Sequence, residues 1–152
     1  MVKRALGTLT VASSGLSAGA MLFIRIVLVP FWLGAPPREF RAWFATHSGR
    51  IRSLMVPLGT AAAATSVTAF FAEAATAGEE RASAAVAAVS AAGVGVITYA
   101  VNEPANEQFV RQDLGDEDTE RLLDRWARWH DVRVVLGLVG TLAAARALAR
   151  RD

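Results

Sequence analysis

Three uncharged apolar stretches, residues 5–24, 53–72 and 82–102, limit what this chain can become. Each has about the ~20 residues that an α-helix needs to cross a hydrocarbon core of ~30 Å. A fourth stretch, residues 134–145, is uncharged for only 12 residues. It reaches spanning length when extended from near Trp126 to near Ala149, with Arg133 and Arg146 close to its ends, where long arginine side chains snorkel. The competing reading is an alanine-rich soluble bundle, whose buried helices often show apolar runs of ~10–14 residues. Three full-length runs in 152 residues argue against it. The expectation is an all-α, four-transmembrane-helix bundle forming one membrane-embedded domain over residues 1–152, with helices at about 5–29, 53–72, 82–103 and 122–149. A short interfacial helix, Arg38-Glu39-Phe40-Arg41-Ala42-Trp43-Phe44, is expected between the first two.

Lys3-Arg4 ahead of an apolar run resembles a signal peptide, but the run is longer than the usual h-region of ~7–15 residues and continues through Arg25 to Trp32. It reads as an uncleaved helix with Trp32 at the interface. Gly7, Ser14, Gly15, Ala18 and Gly19 give this helix a small-residue surface for close packing. Pro57 falls in the first turns of the second helix, where its missing N–H is tolerated. Both termini are expected on one side. Lys3, Arg4, Arg146, Arg150 and Arg151 favour that side as cytoplasmic, in a bacterial cytoplasmic membrane, against Arg38, Arg41, Arg50 and Arg52 opposite.

Cysteine is absent, which excludes disulfides, thiolate nucleophiles and thiolate-bound metals. The pI of 9.9 is no sign of nucleic-acid binding, because the arginines are scattered instead of forming a basic face with interleaved aromatics.

Chemistry-bearing side chains gather in two places. Thr98 and Asn102 are four apart and share a helix face; Pro104 then disfavours helix at Glu103, so the third helix is expected to end there with Asn106 folding back over it. In the fourth helix Trp126, His130 and Arg133 share a face by their spacing of four and three, flanked by Trp129. Facing each other, these elements make a pocket with an aromatic wall, one imidazole, one fixed cation and two amides. The plainer alternative has Asn102 as interhelical glue, Pro104 as a terminator, Trp126 and Trp129 as belt aromatics, and His130 and Arg133 as interfacial anchors. Arg25, inside the first apolar segment, either faces the bundle interior or snorkels; Arg50 and Arg52 are interfacial anchors unless one turns inward. His47, beside Ser48 and Gly49, reads as a solvated surface histidine. Tyr99 is one residue off the Thr98–Asn102 face and is a lesser candidate proton donor. No HxxxH or HxH spacing exists, so no metal site is expected; iron, copper or haem held by His130 is the alternative.

The pattern Thr98-(3)-Asn102-(1)-Pro104-(1)-Asn106 followed by Trp126-(3)-His130-(2)-Arg133 resembles the anthrone oxygenase-like family of small four-helix membrane proteins. Similar too are Ser14-Gly15-Leu16-Ser17-Ala18-Gly19 with the closing Pro30, and Arg50 with Pro57. Glu103 stands where the family often has a small apolar residue, Ala105 where it often has leucine, and Gly49 where it often has asparagine. The resemblance implies oxidation of anthrones to anthraquinones in aromatic polyketide biosynthesis, with O2 and no organic cofactor. On that reading the chain is a cofactor-independent monooxygenase whose partners are a hydrophobic aromatic substrate, O2 and the lipid bilayer, with no nucleic acid and with a homo-oligomer left open. His130 would be the catalytic base, since an imidazole with an ordinary pKa of ~6.5 is mostly neutral at pH 7. Arg133, Asn102 and Asn106 would stabilise the oxygen on which charge develops. Thr98, Trp126, Trp129, Arg25 and Arg50 would bind substrate. The runner-up is a non-catalytic protein, a small-molecule binder, carrier or partner subunit.

Overall fold

The computed structural model describes residues 1–73 and 78–150. Four long helices account for almost all of them: α1 Val2–Gly34, α2 Pro37–Ala72, α3 Glu79–Arg111 and α4 Asp116–Ala149. No strand occurs among the described residues. Each helix has an 18-residue window apolar enough to cross a membrane, and large apolar side chains such as Leu16, Phe23, Val89, Val96 and Leu142 point outward. An apolar outside is what a bilayer requires and water penalises, so the chain is an integral membrane protein.

Around the bundle α1 lies between α2 and α4, and α3 closes the ring between the same two. Lys3 pairs with Glu73 at 3.4 Å, Arg146 with Glu79 at 3.2 Å, and Arg150 also reaches Glu79. The start of α1 and the end of α4 therefore share one end of the bundle with the end of α2 and the start of α3. At the other end Pro37 opens α2 and Gln112 closes α3 in a left-handed conformation, φ 57° and ψ 22°. Asp116, Glu117 and Asp118 then occupy the first turn of α4, where carboxylates oppose the positive end of the helix dipole.

Helices of 33 to 36 residues are longer than a bilayer is thick, ~50 Å against ~30 Å at 1.5 Å per residue. The bundle accordingly has two differently built halves. Toward the termini it packs on small residues: Ser14, Ser17 and Ala18 of α1, Ala62, Ser66 and Ala69 of α2, Ala84, Ala87 and Ser90 of α3, and Gly140, Ala144 and Ala147 of α4 are all buried. A Cβ on Gly137 would lie 3.5 Å from Ala18 Cα, and one on Gly140 within 3.0 Å of Ser90 Cβ and 3.6 Å of the Ala87 carbonyl oxygen, so α4 packs closely on α1 and α3 there. The opposite half has an ordinary apolar core of Val29, Trp32, Phe40, Phe44, Phe109, Leu123 and Trp126. Arg41 is buried beside it and donates to Thr119 Oγ1 at 2.6 Å and Asp116 at 3.0 Å, tying α2 to α4.

Three expectations change. Residues 38–44 are no separate interfacial helix; they open α2, because Phe40 and Phe44, four apart, bury one stripe against Trp32 and Phe109 and continue the same helical face. Trp32 is 2% exposed at the centre of the aromatic core and does not face lipid as a belt tryptophan would. Pro104 does not end the third helix. The backbone widens into a π-turn over Thr98–Asn102, with Glu103 N–H bonded to the Thr98 carbonyl. That bond reaches one residue further back than in an α-helix, and the helix runs on through Pro104 to Arg111. The same device appears in α1, where a π-turn over Ile24–Leu28 precedes Pro30 and Val29 N–H bonds the Ile24 carbonyl. Both π-turns lie beside the cavity described next.

Candidate functional site

Where the small-residue half meets the aromatic half, the four helices enclose a cavity of about 190 Å³. Met21, Ile24 and Trp32 come from α1, Phe44 through Ala63 from α2, Ala91 through Asn106 from α3, and Trp126, His130 and Arg133 from α4.

His130 is 1% exposed. Its Nε2 lies 2.9 Å from the Met21 carbonyl oxygen. A carbonyl only accepts, so Nε2 carries the hydrogen and Nδ1 keeps its lone pair. The imidazole stacks on the Trp126 indole, centroids 4.8 Å apart at 12°. Trp126 is held in turn, its Nε1–H donating to Asn106 Oδ1 at 2.9 Å, while Asn102 Nδ2 donates to the Trp126 carbonyl at 3.4 Å. Asn106 stands on the continued α3, one turn beyond Asn102, and does not fold back over a helix end.

Ser66 Oγ, in the small-residue half, is one buried polar atom without a hydrogen-bond partner among the described residues; four more are Trp32 Nε1, Asn102 Oδ1, His130 Nδ1 and Arg133 Nε. These last four residues all line this one cavity. Arg133 is 7% exposed and its guanidinium forms no hydrogen bond or ion pair with the described residues. A buried polar group without a partner costs about 1–3 kcal/mol, more when charged. Orphans of this kind normally need an explanation, and these four converge on a single space. Two are donors, Trp32 N–H and Arg133 N–H; two are acceptors, the His130 lone pair and the Asn102 carbonyl. The cavity thus offers a ligand both unpartnered donors and unpartnered acceptors.

Six residues named from the sequence meet here: Thr98, Asn102, Asn106, Trp126, His130 and Arg133. Thr98 turns its hydroxyl hydrogen to the Val94 carbonyl at 2.7 Å, which leaves only acceptor capacity. Three others stand apart. Trp129 is 39% exposed on the outside of α4, because one residue before His130 lies about 100° round the helix. Arg25 faces away and pairs with Asp131, linking α1 to α4 beside the His130–Met21 contact. Arg50 is exposed and outside the cavity. In its place Arg52 lines the space and pairs with Glu103 at 2.7 Å. Phe44, Ser48, Arg52, Met55, Gly59 and Ala63 run at spacings of four and three down one face of α2, a period that marks Arg52 in place of Arg50. Trp32 and the Met21 carbonyl carry no such mark. Tyr99, the lesser candidate, also lines the cavity, with its ring largely exposed outside. His47 is not free in solvent; it stacks on Trp43, centroids 4.6 Å apart, with Nδ1 2.8 Å from the Trp43 carbonyl.

No group of three or more His, Cys, Asp or Glu side chains placed to hold a metal ion occurs among the described residues. A metal in the cavity would rest on His130 as its one imidazole ligand.

No curated protein and no solved structure matches the chain. The model of the anthrone oxygenase family does match, over residues 40–143, a span that contains the α2, α3 and α4 walls of the cavity together with Asn102, Trp126, His130 and Arg133. More than half of the sequence is covered, and the chain belongs to the anthrone oxygenase family.

Proposed function

We propose that this protein is a membrane oxygenase that oxidises an enolisable aromatic ketone of the anthrone type with O2, using its own side chains and no organic cofactor. The observation that carries the reading is the convergence of four unpartnered polar atoms, two donors and two acceptors, on one cavity with an aromatic wall. Family membership supports oxygenase chemistry in general.

The methylene of an anthrone is conjugated through two rings to its carbonyl, which makes the C–H acidic. His130 Nδ1 is the base that takes this proton. Arg133 and Trp32 donate to the carbonyl oxygen as it becomes an enolate, where oriented donors stabilise the transition state most. Trp126, fixed by Asn106 and stacked on His130, keeps the imidazole plane aligned and closes the site to water. The enolate passes one electron to O2, giving superoxide and a ring-delocalised radical. These combine in a new C–O bond, and the proton from the imidazolium makes a hydroperoxide. Loss of the second hydrogen to His130 with cleavage of the O–O bond leaves a carbonyl and releases water. One O2 enters for each CH2 converted to C=O and one H2O leaves.

Oxygen uptake by the purified protein in liposomes, with anthrone as substrate, tests this. The expected result is one O2 consumed per quinone formed. Saturable binding of anthrone without oxygen uptake would overturn it and leave a binding or carrier protein. Stoichiometric iron, copper or haem, with activity lost and regained on its removal and return, would move the chemistry to a cofactor on His130.

A further inference from the structure

The cavity does not end inside the bundle. Val56 and Thr60 of α2 and Tyr99 of α3 line it and are also exposed on the outer surface, Tyr99 to 67%. Gly59 and Gly95 lie among them, one on each helix, and a Cβ on either would meet no atom within 4 Å. That sets them apart from Gly137 and Gly140, where an added Cβ would crowd α1 or α3. Over Glu79–Ile97, α3 packs much less extensively on α2 than on α4. The gap lies within the uncharged stretches 53–72 and 82–102, with Leu54 and Val96 exposed beside it. It therefore opens at hydrocarbon depth.

A second opening has a different character. Ser48, Gly49, Arg52, Glu103, Glu107 and Arg111 form a polar vestibule near the aromatic half, and the Arg52–Glu103 ion pair crosses between it and the cavity.

The geometry points to the gap between α2 and α3 as a lateral portal through which a planar aromatic substrate dissolved in the bilayer enters the cavity, with Gly59 and Gly95 setting its width. This rests on the cavity being the substrate site. A three-ring ketone partitions into lipid, and exposing its apolar surface to water on the way to a polar entrance is unfavourable. An apolar entrance within the bilayer avoids that exposure. The cavity size agrees with an open side: an enclosed apolar space of about 150 Å³ holds benzene, so at about 190 Å³ a tricyclic ligand extends into the gap. Side chains at residues 59 and 95 then determine which ring systems pass, while the four polar atoms deeper in determine which are held.

The test is the rate at which 9,10-anthraquinone, added to preformed proteoliposomes, quenches tryptophan fluorescence, since Trp32 and Trp126 line the cavity. Wild type is compared with Gly59→Leu/Gly95→Leu, with the milder Gly59→Ala/Gly95→Ala, and with Gly49→Trp in the vestibule. The expected result is severalfold slower quenching in the leucine pair, a smaller slowing in the alanine pair, and a wild-type rate in Gly49→Trp. Portal variants that quench at the wild-type rate would overturn the proposal, as would slowing confined to Gly49→Trp or a wild type that does not bind the quinone. Portal-limited binding in a protein that shows no oxygen uptake with anthrone would leave the portal standing and remove the oxygenase reading.

Discussion

His130 has one ring nitrogen occupied by the Met21 carbonyl and the other open toward a cavity that holds Arg133. A purely structural histidine would have both nitrogens satisfied. If Nδ1 is the base, His130→Gln keeps a donor for Met21 and loses the imidazole, so kcat falls by about 10²–10⁴ while the protein still inserts and melts as a single species. A His130→Gln protein with wild-type turnover would remove the assignment. Arg133 makes a separable prediction. Lysine keeps the charge but not the planar fork, so Arg133→Lys retains partial activity, with weaker retention of a phenolate inhibitor than of an uncharged quinone. Equal weakening for both ligands would count against an oxygen-holding role. The sequence shows His130 and Arg133 as partners through their spacing. It does not show that Trp32 donates into the same space, because a tryptophan near a helix end reads equally as a belt residue.

The two π-turns are the elements that the sequence conceals best. Pro30 and Pro104 each penalise the α-helix ahead of them, and both suggest a stop. Stopping would expose Phe109 and Ala105 beyond Pro104, and Val29 and Trp32 around Pro30, all of them buried. Continuing through a widened turn keeps that apolar contact, and the extra residue in the turn rotates the segment that follows. With the turn in place, Asn102 donates to the Trp126 carbonyl and Asn106 accepts from the indole nitrogen. Pro104→Ala is therefore expected to permit an ordinary α-turn without lowering Tm, while turnover falls as Asn102 and Asn106 shift relative to Trp126. Unchanged activity would show that the wide turn is only a proline accommodation. The spans themselves were legible because hydrocarbon forbids charge over a fixed length. Their continuation to between 33 and 36 residues was not, since the parts outside the bilayer carry charges on one side and a soluble-type core on the other.

At the scale of the molecule, the site sits where two packing regimes meet. In the membrane half helices touch through glycine, alanine and serine, and tolerance for added volume is low. Gly140→Val places a Cβ 3.0 Å from Ser90 Cβ and branches it further, so a loss of about 1–3 kcal/mol from overpacking is expected as a lower Tm in detergent. An unchanged Tm would mean that α3 and α4 separate freely there. In the other half, Trp32, Phe40, Phe44 and Phe109 pack edge to face, and the charges of Arg38, Glu39, Glu107, Arg111 and Glu117 around them disfavour placing that half in the hydrocarbon. The division has a consequence for topology. Val2 and Glu107 are both exposed but lie at opposite ends of the bundle, and the chain has no cysteine to interfere with labelling. In sealed vesicles a membrane-impermeant maleimide should reach Val2→Cys from one face only and Glu107→Cys from the other only, while Leu142→Cys, on the lipid-facing side of α4, stays unlabelled from both. Labelling of Val2→Cys and Glu107→Cys from the same face would contradict four spans; labelling of Leu142→Cys from either would mean that water reaches the half built of small residues, and the boundary on which the cavity lies would have to be redrawn.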